Sequence, residues 1–225
     1  MEQKKPEIRE RLLTFPAEVV EQYDESEKVL SERLLDEEVV NKWSQIGLDI
    51  AQVTVRSWEA SVEYFAATPE VQRQLPSGQL LRWGRTGYNL SGDSPAMAVA
   101  YFKSSPETLL RLRPRYIDDW ASICRALYKG TWKSSSLTCR FFEATPQILE
   151  TINFEDFTKL GEFLELLSRR SYDQATGALE KSMDLFPKMP KEVSLLLELM
   201  GMVADRSWRL TSEISESISR NLVTM

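Results

Sequence analysis

Histidine and cysteine, which serve many enzymes as bases, nucleophiles and metal ligands, are absent or rare in this sequence. Its 225 residues include no histidine and only two cysteines, Cys124 and Cys139. Without histidine there can be no Ser-His-Asp or Cys-His nucleophile, no imidazole general base and no imidazole metal ligand. The sequence also has no Gly-rich phosphate loop or nucleotide-binding fingerprint. The composition therefore predicts a protein that is not an enzyme and that needs no cofactor or metal.

The two cysteines lack the CxxC spacing that is typical of metal and redox sites. A zinc ion held by both of them would need carboxylates to complete its ligand set, which is uncommon. The first residues, Met1 to Pro6, are charged rather than apolar, and no stretch reaches the ~20 apolar residues of a membrane span. We therefore expect a cytoplasmic protein outside the membrane, with both thiols acting as buried small apolar groups.

Two pairs of adjacent acids, Asp118-Asp119 and Glu155-Asp156, are the remaining candidates for catalysis. Each pair stands where a helix is predicted to begin, and acids in a first helical turn are stabilised by the helix dipole. We interpret both pairs as structural. A cleft with converging acids would instead indicate a carboxylate enzyme, which is the third and least favoured alternative.

The densest group of charges is basic and lies in the middle of the chain. Residues 73–140 carry 11 lysines and arginines against four acids, a net charge of +7, whereas residues 1–40 have a net charge of −6. Such a segment can attract an acidic protein surface or nucleic-acid phosphates, or it can be a solvated face. We predict a protein partner with an acidic surface, because the chain as a whole is acidic, and keep nucleic acid as the alternative.

Six residues of this basic segment form the predicted partner-binding site. Arg111 to Arg115 fall at a predicted turn between structural units, where binding surfaces are common. Trp132 would supply an aromatic anchor among the cations. The predicted binding residues are Arg111, Arg113, Arg115, Lys129, Trp132 and Lys133.

The elements that would position these residues follow a period of about 37–40 residues. Three segments resemble one another: YFAATPE at 64–70, YFKSSPE at 101–107 and FFEATPQ at 141–147. A hydroxyl residue followed by an aromatic residue or proline recurs at steps of 37, 37, 40 and 36 residues. These hydroxyl residues are Ser57, Ser94, Thr131, Ser171 and Ser207. A large apolar residue precedes them by 11 residues, or by 14 in the first case, at Trp43, Trp83, Trp120, Leu160 and Leu196. A regular period of this length is typical of stacked repeats.

Each marker predicts a helix start or a helix face. The recurring Ser or Thr is expected to cap a helix, and Pro95 after Ser94 suits the first helical position. The Trp43 to Leu196 series is expected to lie in the core. The Thr-Pro and Ser-Pro pairs at 68–69, 105–106 and 145–146 are expected to start a short third helix, such as Glu107 to Leu112. Each unit would then contain three helices.

The period predicts an all-α protein, an armadillo/HEAT-like right-handed α-solenoid whose units stack into one core. The predicted units are about 37–75, 76–112, 113–152, 153–189 and a partial 190–225, which together form one repeat domain, 37–225. Residues 1–36 are predicted to be an acidic helical cap, since a terminal repeat needs a polar outer face.

A second aromatic column remains open to two interpretations. Trp58, Trp132, Tyr172 and Trp208 follow the capping residues and could form a stacked recognition ladder. They could equally cover the seams between helices. Pro95 interrupts the column, and a recognition ladder would not skip a position, so we favour the seam.

The segment 127–136 (LYKGTWKSSS), with the block FFEATP at 141–146 and its cognates, resembles a known bacterial family. It is similar to the helical-repeat region that precedes a von Willebrand factor A domain in proteins of the nitric-oxide-reductase activation type. The resemblance would cover the chain from about Val39 onward. It implies a scaffold that works beside an AAA-type ATPase in a chaperone-like complex, helping to activate a target enzyme or insert its metal.

The resemblance carries no metal-site residue over to this chain. The family's adhesion site uses a DxSxS motif, and the nearest similar segment, Ser134-Ser135-Ser136, lacks the aspartate. The expected function is therefore a non-enzymatic protein-interaction scaffold, the targeting module of such a complex. The expected partner is a von Willebrand A/ATPase complex or its target enzyme, with nucleic-acid association as the alternative.

Overall fold

The computed structural model describes residues 4–33, 36–130 and 134–206, together with positions 213 and 217. These residues form α-helices and two short 3-10 turns, and they contain no β-strand, which confirms the predicted all-α class. The helices are α1 (Lys4–Leu12), α2 (Ala17–Glu32), α3 (Glu37–Gln52), α4 (Trp58–Gln74), α5 (Ser77–Asp93), α6 (Pro95–Leu109), α7 (Ile117–Gly130), α8 (Ser134–Thr151), α9 (Phe154–Ser168), α10 (Tyr172–Leu185) and α11 (Val193–Arg206). The 3-10 turns are Pro114–Tyr116 and Phe186–Lys188.

The chain divides into two compact units, Met1–Asp118 and Asp119–Met225. In the first unit, α3 packs on α1 and α5, and α4 packs on α2 and α6. In the second unit, α9 packs on α11 and α8 packs on α10. Helices that follow one another along the chain, such as α3 with α4 and α9 with α10, also pack together. Short connections favour such antiparallel neighbours, and alternate helices then lie side by side.

The helix pairs α3–α4, α5–α6, α7–α8 and α9–α10 fall within the four complete units drawn from the sequence. The segment predicted to be a cap contains α1 and α2, and Tyr23 of α2 is buried against Trp43 and Phe65. The division into a cap and one repeat domain stays a prediction.

The predicted third helix of each unit is wrong. The pairs Thr68-Pro69, Ser105-Pro106 and Thr145-Pro146 lie inside α4, α6 and α8 and start no helix. The Thr68 hydroxyl donates to the Tyr64 carbonyl oxygen of its own helix, at 2.7 Å, so it does not act as a cap. Pro69 has no N–H and leaves the Phe65 carbonyl without its helical partner. That carbonyl accepts a 2.6 Å hydrogen bond from Ser26 of α2, so α4 continues through its proline.

The predicted caps are confirmed in part. Ser171 is the N-cap of α10, and its hydroxyl oxygen accepts the amide of Gln174 at 3.4 Å. Ser94 and Pro95 hold the predicted positions at the start of α6, but the Ser94 hydroxyl makes no capping bond. Ser57 precedes α4 without capping it and accepts the Thr54 amide instead. Thr131 and Ser207 lie outside the described residues.

The predicted core series is confirmed. Trp43, Trp83, Trp120 and Leu160 are fully buried and Leu196 is 9% exposed. The predicted helix starts at the acid pairs are also found. Asp118 and Asp119 lie in the first turn of α7, and Glu155 and Asp156 lie in the first turn of α9.

Candidate functional site

Each buried tryptophan of α3, α5 and α7 donates its indole N–H to a hydroxyl on the following helix. Trp43 Nε1 lies 3.0 Å from Thr68 Oγ1, Trp83 Nε1 lies 2.8 Å from Ser105 Oγ, and Trp120 Nε1 lies 3.1 Å from Thr145 Oγ1. Each hydroxyl in turn donates to the carbonyl four residues earlier, at 2.6–2.7 Å. All of these groups are buried and satisfied, so this repeated pair is part of the structure and offers no ligand site.

The same three helix pairs repeat an aromatic contact. The rings of Trp43 and Phe65, of Trp83 and Phe102, and of Trp120 and Phe142 lie 5.1, 5.0 and 5.2 Å apart in edge-to-face geometry. Such pairs add stability beyond the area that they bury. The aromatic residues of the repeated segments 64–70, 101–107 and 141–147 are therefore part of the hydrophobic core.

A glycine four positions after Trp43 and after Trp83 makes room for the phenylalanine ring of the following helix. A Cβ added at Gly47 would lie 2.1 Å from Phe65 Cζ, and one added at Gly87 would lie 1.9 Å from Phe102 Cζ. Cys124 holds the same position after Trp120 and is fully buried. The sequence analysis did not predict this Trp-x-x-x-small pattern, although the spacing of four residues is visible in the sequence.

Of the three predicted arginines, Arg111 and Arg113 lie in the connection that follows α6, and Arg115 lies within the 3-10 turn Pro114–Tyr116. Arg111, Arg113 and Arg115 are all exposed, whereas Leu112 between them is buried. The Arg111 side chain donates to the Glu107 carbonyl at 3.3 Å. The Arg115 guanidinium lies 4.6 Å from the ring centre of Tyr116 and donates to its hydroxyl at 2.7 Å. We call these three residues the arginine loop.

The other predicted binding residues are not shown to join the arginine loop. Lys129 is exposed in the last turn of α7 and belongs to the second compact unit, whereas the arginine loop belongs to the first. Trp132 and Lys133 lie outside the described residues. The arginine loop is therefore one group in the structure, and the six-residue site stays a prediction.

The second aromatic column is seen at two of its four positions. Trp58 and Tyr172 are half-buried, while Trp132 and Trp208 lie outside the described residues. Trp58 lines a shallow groove of about 280 Å³ together with Glu18, Glu59 and Lys103. Partial burial suits either interpretation, so the choice between seam and ladder stays open.

The acid pairs hold structural positions. Arg82 and Thr86 of α5 both bond the Asp118 carboxylate, at 2.7 and 2.8 Å. Burial raises the pKa of Asp118, but these hydrogen bonds and the Arg82 charge outweigh it, so the pKa lies below its ordinary value. Asp156 is buried and accepts the Asn153 side-chain amide at 2.9 Å, while the Asn153 side chain caps α9. One acid of each pair, Asp118 and Asp156, is thus held by hydrogen bonds at a helix start.

Neither thiol is suited to be a nucleophile. Both cysteines are free, with Cys124 buried and Cys139 half-buried. Burial raises the pKa of the Cys124 thiol well above its ordinary value. Burial, aided by the negative charge of Glu143, raises the pKa of Cys139 to about 11. Only the thiolate is nucleophilic, so both groups remain in their unreactive form near neutral pH.

In the part of the chain that the structure describes, no three acidic or cysteine side chains come together as a metal site would require. Within the same residues, none of the helices has the length and apolar character needed to span a bilayer.

Comparisons with protein-family models, with curated proteins and with solved structures give no match to this chain. The resemblance to the region before a von Willebrand factor A domain therefore stays a prediction.

Proposed function

We propose that this protein is a non-enzymatic protein-interaction scaffold, built as an armadillo/HEAT-like right-handed α-solenoid. The observation that supports the proposal is the contrast between interior and surface in successive helix pairs. The interior repeats a tryptophan, its hydroxyl partner, a second ring and a small residue. The residue just before each tryptophan is exposed, and it changes from Lys42 to Arg82 to Asp119. Repeat scaffolds combine a constant interior with a variable surface in this way.

The arginine loop is the surface that we assign to the partner. Its three guanidinium groups are exposed within five residues of each other, and each can bind a carboxylate through two parallel hydrogen bonds. Stacking on Tyr116 holds Arg115 in place before binding, which lowers the entropy lost on association. A protein with an acidic surface fits these features. The family resemblance makes a von Willebrand A/ATPase complex, or its target enzyme, the first partner to test.

The test is the variant Arg111→Glu/Arg113→Glu/Arg115→Glu, assayed for capture of native partners and for nucleic-acid binding at two salt concentrations. We expect a loss of partner capture, with association slowed by about tenfold or more because steering charges are reversed. The control is Lys42→Glu/Arg56→Glu/Arg85→Glu, which makes the same change of net charge elsewhere in the first unit. Both variants are first checked for unchanged helicity and melting temperature.

Two results would change the assignment. If the folded arginine-loop variant captures every partner as well as the unmodified protein does, the loop is only a solvated surface. If that variant loses nucleic acid but keeps its protein partners, nucleic-acid association replaces protein binding as the function of the loop.

A further inference from the structure

Helix α11 exposes a row of large aliphatic side chains. Leu195, Leu199 and Met202 are 60%, 47% and 60% exposed. Their spacing of four and then three residues places them on one face of the helix. Glu198, at the edge of this row, is bonded to Lys159 of α9 at 2.8 Å and so belongs to the packing within the unit. We call Leu195, Leu199 and Met202 the α11 stripe.

In other helices the corresponding face packs against a further helix. Leu199 stands three residues after Leu196, as Ile46 and Ile123 stand three residues after Trp43 and Trp120. Ile46 Cγ2 lies 3.1 Å from where a Cβ of Gly84 would be, so it packs on α5. Ile123 Cγ2 lies 2.2 Å from where a Cβ of Gly161 would be, so it packs on α9. The α11 stripe is therefore the same helix-packing face, exposed to solvent.

Charged residues of opposite sign stand at the two ends of the stripe. Glu192 directly precedes α11, Arg206 ends it, and both are exposed. Each is seven residues, close to two full turns, from Leu199, about 10 Å along the helix axis. Arg206 therefore falls on the face of the stripe, and Glu192 stands beside the first turn of α11, where its carbonyl accepts the Leu196 amide. The row therefore runs from an acid through three aliphatic residues to a base, with Leu199 at its centre.

We propose that the α11 stripe binds the α11 stripe of a second copy of this chain. The two helices run antiparallel about a twofold axis at Leu199. This arrangement packs Leu195 against Met202 of the second copy and brings Glu192 to Arg206 of the second copy, twice by symmetry. A parallel arrangement would place like charges together at both ends. The sign pattern thus selects the antiparallel pair and identifies a second copy as the partner.

This inference goes beyond the proposed scaffold function and does not depend on the arginine loop. The interface would contain three stripe side chains from each copy, six in all, and two rim ion pairs. This is a small contact, so we expect a dissociation constant in the range of about 1–100 µM. Self-association should therefore depend on protein concentration within the range that sedimentation experiments cover.

The test is sedimentation equilibrium on the whole chain at increasing concentration. We expect the measured mass to rise from 25.9 kDa toward twice that value. The variant Leu199→Glu places two like charges on the twofold axis, so its mass should remain that of a single chain. The matched control is Leu110→Glu, because Leu110 is 69% exposed and lies in the other unit. That variant should associate like the unmodified protein.

A charge exchange tests the antiparallel arrangement separately. Glu192→Arg should weaken association about tenfold, because it opposes two arginines at each end. Adding Arg206→Glu to the same chain restores the opposite signs and should recover the original association.

Three results would overturn the proposal. They are an unmodified protein that stays monomeric at every concentration, a Leu199→Glu variant that still dimerises, and a double exchange that recovers nothing. If the unmodified protein is monomeric but captures a different protein only when Leu199 is intact, the stripe serves another partner and the self-association is wrong.

Discussion

Each buried tryptophan of α3, α5 and α7 depends on one hydroxyl oxygen supplied by the next helix. The hydroxyl stands directly before a proline, and Thr-Pro or Ser-Pro is also the usual sequence of a helix start. In the folded chain the hydroxyl instead bonds its own helix and the indole. The sequence could not reveal this, because the Phe65 carbonyl freed by Pro69 is satisfied by Ser26, which is 39 residues away.

The variant Thr68→Val tests this hydroxyl with almost no change of shape. It leaves the buried Trp43 indole without an acceptor, so we expect a loss of about 1–3 kcal/mol in the free energy of unfolding. Urea denaturation measures the loss. In the background Trp43→Phe the donor is already gone, so the same change at Thr68 should cost clearly less. Equal costs in the two backgrounds would show that the hydrogen bond contributes nothing.

The thiols give a second test at this scale. The pKa of Cys139 is raised from 9.0 to about 11, so at pH 8 its thiolate fraction should be about a hundredfold lower than in the unfolded chain. Labelling with a thiol reagent in the Cys124→Ser variant should be slow for the folded protein and fast in denaturant. As pH rises toward 11 the folded rate should rise with it. Rapid labelling of the folded protein at pH 8 would contradict the raised pKa.

The existence of the helices was largely predictable from the sequence, whereas the residues at which they end were less predictable. Period and patterning placed the core series and the starts of α6 and α10 correctly, because those signals are local. The length of α4, α6 and α8 beyond their prolines was not predictable, since it depends on contacts from other helices. The close approach of paired helices at Gly47 and Gly87 was also missed. A glycine alone does not predict a close approach, because the ring that packs against it is known only from the structure.

Gly87 and Gly92 lie in one helix and allow a matched comparison. The variant Gly87→Ala places a Cβ 1.9 Å from Phe102 Cζ, so the buried Phe102 ring or one of the two helices must shift. We expect a loss of about 1–3 kcal/mol in the free energy of unfolding. A Cβ at Gly92 would meet nothing within 4 Å, so Gly92→Ala should be neutral or stabilising by up to about 1 kcal/mol. Thermal and urea unfolding of both variants make the comparison, and equal effects would contradict the close approach.

Replacing the N-cap residues Ser171 and Ser94 by alanine should change the free energy of unfolding by different amounts. Ser171→Ala removes a hydroxyl that accepts the Gln174 amide, and we expect a cost of about 1 kcal/mol. Ser94→Ala removes a hydroxyl that makes no capping bond, so the cost should stay within about 0.5 kcal/mol. A larger loss for Ser94→Ala than for Ser171→Ala would mean that the capping pattern is wrong.

For the whole molecule, the all-α class could be argued from composition and period alone. The partner surface could not. Sequence proximity grouped six residues, of which the structure describes Arg111, Arg113, Arg115 and Lys129, so the six-residue site stays a prediction. The α11 stripe was missed for a related reason. Its three residues read as ordinary core positions until the structure shows which face of α11 is covered.

The repeated Trp–hydroxyl pair is what makes successive helix pairs equivalent, and the solenoid proposal depends on it. Nuclear magnetic resonance of the ¹⁵N-tryptophan-labelled protein can follow the exchange of each indole N–H with solvent. We expect the indole protons of Trp43, Trp83 and Trp120 to be protected, and each to respond to one substitution. Thr68→Val should accelerate exchange at Trp43, Ser105→Ala at Trp83 and Thr145→Val at Trp120, each leaving the other two unchanged. Acceleration at a different indole, or at none, would contradict the repeated unit.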